Sequence, residues 1–270
     1  MTTYESTNIL DVQHLYKTFT SGLVFTKEIN ALNDVSFSLQ KSEILALVGE
    51  SGSGKSTTAN IILKLIKPTS GTVFFGGEDI QKYRQKNYYK RVQVIFQDPF
   101  SSYNLFYKVD RALHLSFKLL EKQPAYEERK KIIREVLEKI GLRASELLGR
   151  YPHQLSGGQL QRMLLARTLI INPDILIADE ATSMIDASSR AGVLNLLDML
   201  SSDQGMGIMF ITHDIGQAQY LSDRVIVMEH GHIVEEGKPS KVLVNPEEDY
   251  TKKLISCVPT MEECWDFVKK

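Results

Sequence analysis

The feature that most constrains this chain is the stretch at residues 49–56, with the sequence GESGSGKS. It fits the pattern G-x-x-x-x-G-K-[ST] at every fixed position, which is typical of a loop that cradles nucleotide phosphates. Glycines allow the tight turn that brings backbone N–H groups onto phosphate oxygens, and the helix after the loop adds the positive end of its dipole. The residues predicted to surround a triphosphate are Gly49, Ser51, Gly52, Ser53, Gly54, Lys55, Ser56 and Thr57.

The sequence on both sides of this loop supports the prediction. An apolar strand is predicted at residues 43–48, and Ala59, Ile62, Leu63 and Ile66 recur at helical spacing afterwards. At average residue frequencies, the probability that this pattern occurs by chance in a chain of this length is roughly one in a hundred. Because strand, glycine loop and helix follow in the required order, we expect Lys55 to reach the β- and γ-phosphates and Ser56 to ligate Mg²⁺.

Strands and helices alternate along most of the chain, which favours an α/β fold. We predict a P-loop NTPase core with a mostly parallel sheet, an N-terminal antiparallel β subdomain, and an α-helical subdomain inserted at about residues 98–170. This ATPase domain spans residues 1–240, and a short, partly helical C-terminal extension occupies 241–270. The predicted strands are 9–13, 35–39, 71–75, 92–96, 175–178, 207–211 and 224–228; the predicted helices are 128–140 and 191–200; a turn at 20–22 and a loop at 26–30 separate the first two strands.

Composition excludes several classes of protein. The formal net charge is -1 over 270 residues, so the chain has no global basic surface of the kind that binds nucleic acid. No run approaches 18 apolar residues and the first nine residues are polar, which predicts a cytosolic chain that does not itself span a membrane. Cys257 and Cys264 cannot complete a four-ligand metal site alone, and we interpret them as reduced thiols.

Two further motifs carry the chemistry that a phosphate loop needs. The apolar strand at 174–180 (DILIADE) ends in Asp179, suited to hold Mg²⁺ through water, and Glu180, suited to polarise an attacking water. The stretch LSGGQ at 155–159 opens a helix, where Ser156 is a good N-cap and Gly157 and Gly158 let a phosphate approach exposed N–H groups.

LSGGQ together with the phosphate loop resembles the ATP-binding cassette (ABC) family, and the resemblance runs from about Ile9 to Gly237. It implies an ABC transporter ATPase subunit that binds ATP and Mg²⁺. It also implies that ATP on the loop of one cassette is capped by Ser156, Gly157, Gly158 and Gln159 of another.

The resemblance assigns roles to four more residues. Gln97 matches the glutamine that senses Mg²⁺ and the γ-phosphate, and His213 matches the switch histidine. Asp186 matches the aspartate of the dimer-interface loop. Phe19 falls where an aromatic ring stacks on adenine, with Tyr16 as a near competitor. Two departures from the family pattern, Ala181 and Ile185, remove no reactive group, so a competent site is expected.

YPHQ at 151–154 precedes the signature, where exporters commonly carry T-x-V-G-E, and so resembles importers. Three stretches, GESGSG at 49–54, FQDPFSS at 96–102 and DYTKKLIS at 249–256, resemble the oligopeptide, dipeptide and nickel importer class, in which some relatives carry oligosaccharides. The class implies a second, different ATPase chain as heterodimer partner, two transmembrane permease subunits and, indirectly, an extracytoplasmic substrate-binding protein. It also implies a peripheral position on the cytoplasmic face of the cell membrane.

Two alternatives belong to other classes. A soluble ABC ATPase that acts on nucleic acid or ribosomes fits less well, because the chain has one compact cassette and no basic tail. An unrelated P-loop kinase or GTPase is disfavoured by the signature and by the lack of an N-K-x-D guanine motif.

Overall fold

The computed structural model describes residues 8–21 and 27–257. Its strands are β1 (Asn8–Ser21), β2 (Lys27–Gln40), β3 (Ile44–Val48), β4 (Ser70–Phe75), β5 (Glu78–Asp79), β6 (Val92–Ile95), β7 (Ile175–Asp179), β8 (Gly207–Ile211), β9 (Arg224–Glu229) and β10 (His232–Gly237). Its helices are α1 (Lys55–Ile62), α2 (Gln85–Arg91), α3 (Asp110–Ser116), α4 (Tyr126–Lys139), α5 (Ala144–Leu147), α6 (Gly157–Ile171), α7 (Ala187–Gln204), α8 (Ile215–Leu221), α9 (Pro239–Val242) and α10 (Asp249–Ser256).

The main sheet has six strands in the order β10-β9-β3-β8-β7-β6. All neighbours are parallel except β10, which pairs antiparallel with β9. Every residue of β3 is buried, as expected for a central strand that is covered on both faces. The carboxyl ends of β3, β6, β7 and β8 therefore meet at one edge of the sheet, where ligands of open α/β sheets bind.

The second sheet has four antiparallel strands in the order β2-β1-β4-β5, which confirms the predicted N-terminal β subdomain. Its first two strands are much longer than predicted. The loop prediction for 26–30 is wrong at residues 27–30, because these pair with the end of β1 in the register Lys27↔Ser21 to Asn30↔Thr18. Since β2 is an edge strand, it forms ladder hydrogen bonds without an apolar side chain at each position. Thr20 and Ser21 continue β1, whereas Gly22 of the predicted turn and Thr26 lie outside the described residues.

A helical region follows β6, and no strand interrupts it before β7, as predicted. The predicted helix 128–140 is α4, in which Ile133 and Leu137 are buried in the core shared with α6. Gly141 follows with φ 70°, the left-handed conformation that ends many helices. Among the described residues, no helix is both long and apolar enough to cross a membrane.

Two helix ends differ from the sequence prediction. The helix after the phosphate loop stops at Ile62, because Lys64 adopts φ 58° and reverses the chain before Ile66. The helix predicted at 191–200 begins at Ala187, since Asp186 caps it by accepting a hydrogen bond from the Ser189 N–H. The helix expected in the tail is α10; Cys257 is exposed beyond it, and Cys264 lies outside the described residues.

Candidate functional site

The phosphate loop lies at the carboxyl end of β3 and leads directly into α1. Gly49 and Gly54 have φ values of 150° and 110°. A Cβ atom on Gly49 would lie 2.3 Å from the Met228 carbonyl oxygen, and one on Gly54 would lie 2.8 Å from that of Ala31. Both positions therefore require glycine, because the backbone of β9 on one side and of β2 on the other leaves no room for a side chain.

Lys55 bends back over its own loop. Its Nζ donates hydrogen bonds to the carbonyl oxygens of Gly49 and Glu50, both at 2.8 Å, and to Ser53 Oγ at 3.1 Å. Burial lowers the pKa of Lys55, while the charges of Glu180 and Asp179 act in the opposite direction. The ammonium group is thus held over the concave side of the loop, where phosphate oxygens would replace the carbonyl oxygens as its partners.

Asp179 and Ser56 meet where β7 ends beside the start of α1. Burial, and then the neighbouring Glu180 charge, raise the pKa of Asp179, while the Ser56 hydrogen bond and Lys55 act to lower it. Mg²⁺ takes one or two protein oxygens together with phosphate oxygens and waters, so this pair fits the ion. Consistently, the described residues contain no cluster of three or more His, Cys, Asp or Glu side chains suited to a metal ion.

Glu180 is the point at which three strand ends converge. Gln97, which follows β6, donates its Nε2 hydrogen bond to Glu180 Oε2 at 2.8 Å. His213, which follows β8, places Nδ1 3.2 Å from Glu180 Oε1. Two of the residues predicted to be catalytic, Gln97 and His213, therefore both contact the third, Glu180. Glu180 also has φ 47°, a strained conformation for a side chain of this size and one that often marks functional sites.

A small cleft of about 130 Å³ opens beside Glu180 and His213. Its far wall includes Asp214, which accepts hydrogen bonds from the backbone N–H and Nε2 of Gln217 at 3.1 and 2.7 Å. Arg190 of α7 lies 3.7 Å from Asp214. Arg190 and Gln217 were not predicted to belong to the site, because the sequence signal at this wall is limited to the N-cap position of Asp214 before α8.

The signature residues form a capped helix start. Ser156 Oγ accepts a hydrogen bond from the Gln159 N–H at 3.2 Å, and Gln159 Oε1 accepts one from the Ser156 N–H at 2.9 Å. A Cβ atom on Gly157 would lie 3.1 Å from the Met184 carbonyl oxygen. The capping box thus fixes the α6 N-terminus, and its first glycine packs against the loop that precedes α7.

Asp186 lies beside the signature, where a Cβ atom on Gly158 would be 4.0 Å from its carboxylate. Hydrogen bonds from the Ser188 hydroxyl and then from the Ser189 N–H lower the pKa of Asp186 to about 2. Within residues 8–21 and 27–257, no hydrogen bond or ion pair connects residues 156–159 or Asp186 to the phosphate loop. The predicted site residues therefore form two separate groups, one at the phosphate loop and one at the signature.

Phe19 lies near the end of β1, opposite Ile29, and 39% of it is exposed. Lys17 Nζ is 4.9 Å from the centre of its ring. Tyr16 is only half-buried and pairs with Ser70 in the ladder, so it also presents part of its ring to solvent. The choice of adenine platform between these two rings stays a prediction.

A phosphate loop on a parallel sheet, with a carboxylate pair at the end of the next strand but one, defines the class of P-loop nucleoside triphosphatases. The capped signature helix narrows that class. The chain belongs to the ABC transporter family, whose profile matches residues 32–183. The residue pattern and this match make the protein an ATP-binding ATPase of that family, as the sequence predicted.

The sequence similarity to known proteins covers nearly the whole chain. The oligopeptide transport ATP-binding protein OppF of Bacillus subtilis is 38% identical over 93% of this chain and 82% of its own length. The dipeptide transport ATP-binding protein DppF of Haemophilus influenzae is 38% identical over 87% of this chain and 72% of its own. A dimeric, post-hydrolysis ATP-binding cassette bound to ADP and Pi superimposes with a TM-score of 0.76 at 29% identity, covering 85% of this chain and 98% of that one. These matches support the transporter class and not the soluble cassette acting on nucleic acid or ribosomes.

Proposed function

We propose that this chain is the ATP-hydrolysing subunit of an importer of oligopeptides or dipeptides. The observation that carries the enzymatic part is the convergence of Gln97 and His213 on Glu180 beside the phosphate loop. The substrate class, oligopeptides or dipeptides, is inferred from the names of the relatives.

In the proposed mechanism Glu180 polarises the water that attacks the γ-phosphate. Gln97 and His213 orient its two carboxylate oxygens, and His213 contacts the γ-phosphate. Ser56 and Asp179 would hold Mg²⁺, with the Gln97 amide oxygen as a further ligand of the type the ion prefers. The ion supplies charge neutralisation at the transferring phosphoryl group.

The proposed partner completes the nucleotide site. The separation of the signature from the phosphate loop is what a shared site needs, because the signature of each cassette then caps the nucleotide of the other. We propose a heterodimer with a second ABC ATPase chain, bound to two transmembrane permease subunits and served by an extracytoplasmic substrate-binding protein. The chain would then lie peripherally on the cytoplasmic face of the membrane, with ATPase domain 1–240, helical subdomain 98–170 and extension 241–270.

Reconstitution tests the proposal. The chain would be assembled in proteoliposomes with two transmembrane permeases, a second ABC ATPase chain and a substrate-binding protein from the same organism, and ATP hydrolysis would be measured with peptides, an oligosaccharide or nickel. Of the three candidate substrates, we expect only peptides to stimulate ATP hydrolysis and to enter the vesicles. With the Lys55→Ala variant in the assembly, peptides should neither stimulate hydrolysis nor enter. Stimulation by oligosaccharide or nickel alone would reassign the substrate, and no stimulation by any of the three would contradict the importer function.

A further inference from the structure

The C-terminal helix α10 reaches back to the phosphate loop through one side chain. The Tyr250 hydroxyl oxygen accepts a hydrogen bond from the Glu50 backbone N–H at 3.0 Å. The two residues are 200 positions apart in the sequence, and none of the catalytic roles proposed above uses Tyr250. A residue outside the predicted ATPase domain thus contacts the backbone of the ATP site.

This contact fixes a peptide group on which Lys55 rests. The Gly49 carbonyl oxygen, which shares that peptide group with the Glu50 N–H, accepts a hydrogen bond from Lys55 Nζ at 2.8 Å, so Tyr250 and Lys55 hold opposite sides of the same peptide group. If the Glu50 N–H lost its partner, the peptide on which Lys55 rests would be freer to rotate. The position in which Lys55 waits before phosphate binds therefore depends on a peptide group that α10 secures.

The position of Tyr250 is itself set by the sheet. Glu235 of β10 accepts hydrogen bonds from the N–H groups of Glu247 and Glu248, at 3.0 and 3.3 Å, just before α10 begins. Tyr250, with Leu254 and Ile255 further along the helix, packs partly buried against the main core. Both ends of α10 are thus held in place, so the Tyr250 hydroxyl group is already positioned beside the Glu50 N–H.

The same edge of the sheet contacts the loop a second time. In the turn between β9 and β10, the Gly231 N–H donates to the Ser53 carbonyl oxygen at 3.0 Å. Ser53 follows Glu50 by three residues, so the outer side of the loop is held at two points by the β10 and α10 region. Its inner side, with Lys55, remains directed toward the phosphates.

We propose that Tyr250 is a positioning residue of the ATP site, which pre-organises the phosphate loop by holding the Glu50 peptide. The inference rests on the proposed role of residues 49–56 as the ATP cradle. A loop already in its binding conformation loses less conformational entropy when phosphate binds, and so binds more tightly. The C-terminal extension thereby contributes to nucleotide affinity without touching the nucleotide.

The test compares two tyrosine-to-phenylalanine variants of the full-length chain. Tyr250→Phe removes only the hydroxyl that contacts Glu50. Tyr83→Phe is the matched control, because Tyr83 is also half-buried and its hydroxyl donates to a backbone group, the Phe75 carbonyl oxygen at 3.0 Å, in the other sheet. The dissociation constant for ATP, hydrogen exchange at the Glu50 amide and the thermal unfolding midpoint are measured for each.

We expect Tyr250→Phe to weaken ATP binding about three- to tenfold, which corresponds to the loss of one ordinary hydrogen bond. Exchange at the Glu50 amide should accelerate by a similar factor, and Tyr83→Phe should change neither quantity. A purely structural role for Tyr250 would lower the unfolding midpoint while affinity and Glu50 exchange stay as in wild type, and that result would overturn the proposal.

Lys55→Ala separates failure of this inference from failure of the cradle assignment. If Lys55→Ala loses ATP binding and Tyr250→Phe does not weaken it, only the role of Tyr250 is wrong. If Lys55→Ala binds ATP as wild type does, the cradle assignment fails, and the inference fails with it.

Discussion

Replacing Glu180 by glutamine tests the central catalytic assignment with the smallest change in shape. The carboxylate accepts from Gln97 at 2.8 Å through one oxygen and faces His213 at 3.2 Å through the other. A glutamine keeps one acceptor oxygen and places an NH₂ group at the other position. The glutamine oxygen can accept from Gln97 Nε2 as before, and its NH₂ group can face His213 Nδ1 in the tautomer that accepts there, so we expect the site to keep its geometry and lose only its base.

The size of the effect follows from that distinction. A positioned general base contributes about 10²–10⁴-fold to a rate, or roughly 3–5 kcal/mol of barrier. ATP binding depends on the phosphate loop and not on Glu180. We therefore expect kcat to fall at least about 100-fold, while the dissociation constant for ATP changes less than about threefold, within the range of a lost neutral hydrogen bond.

The assay is ATP hydrolysis by the assembled transporter at saturating ATP, together with sizing of the ATPase pair in ATP. In the proposed mechanism ATP closes the pair and loss of phosphate reopens it, so Glu180→Gln should accumulate a closed, ATP-bound dimer. Glu146→Gln is the control, since that exposed carboxylate pairs only with Arg143 at 3.0 Å in the helical region. Turnover of Glu180→Gln within about threefold of the control, well short of the loss expected for a general base, would refute the assignment.

Two further substitutions address adenine binding and pairing with the second cassette. Phe19→Ala should weaken ATP binding by about 1–3 kcal/mol, the usual value of one base-stacking ring, and more than Tyr16→Ala does in the same titration; the reverse order would place adenine on Tyr16. Gly158→Ala would put a Cβ atom 2.7 Å from Ser189 Oγ and 2.8 Å from its Cβ, forcing the α6 N-terminus away from α7. Light scattering should then show little ATP-driven pairing, while ATP binding to the single chain stays as in wild type; normal pairing would contradict this role of the signature.

The core of the fold was predictable because its signals are local. The strand β3, the glycine loop and α1 follow one another without interruption, and β7 ends in Asp179 within a single apolar run. Once the strands are known to be parallel, their carboxyl ends must share an edge of the sheet. The contact of Gln97 and His213 with Glu180 is the geometric result, although the three residues are separated by 83 and 33 positions.

Other features were not predictable because their partners are distant or their side chains are polar. Residues 27–30 carry no strand pattern, and only pairing with β1 makes them part of β2. The strand β10 contains Glu235 and Glu236, which interrupt an apolar pattern, yet its pairing with β9 forms the sheet edge against which α10 packs. The hydrogen bond between Tyr250 and Glu50 has no sequence signal at all.

The segment between Glu180 and Asp186 connects the two groups of site residues within one chain. Its first residue is the proposed water-activating carboxylate, and the Ser183 N–H and hydroxyl both hydrogen-bond to the Glu180 carbonyl oxygen, at 3.0 and 2.9 Å. Its other end packs against the signature, where the Met184 carbonyl faces Gly157. In the proposed dimer, the partner's nucleotide on the signature and the base Glu180 would therefore lie at opposite ends of one short, internally hydrogen-bonded turn.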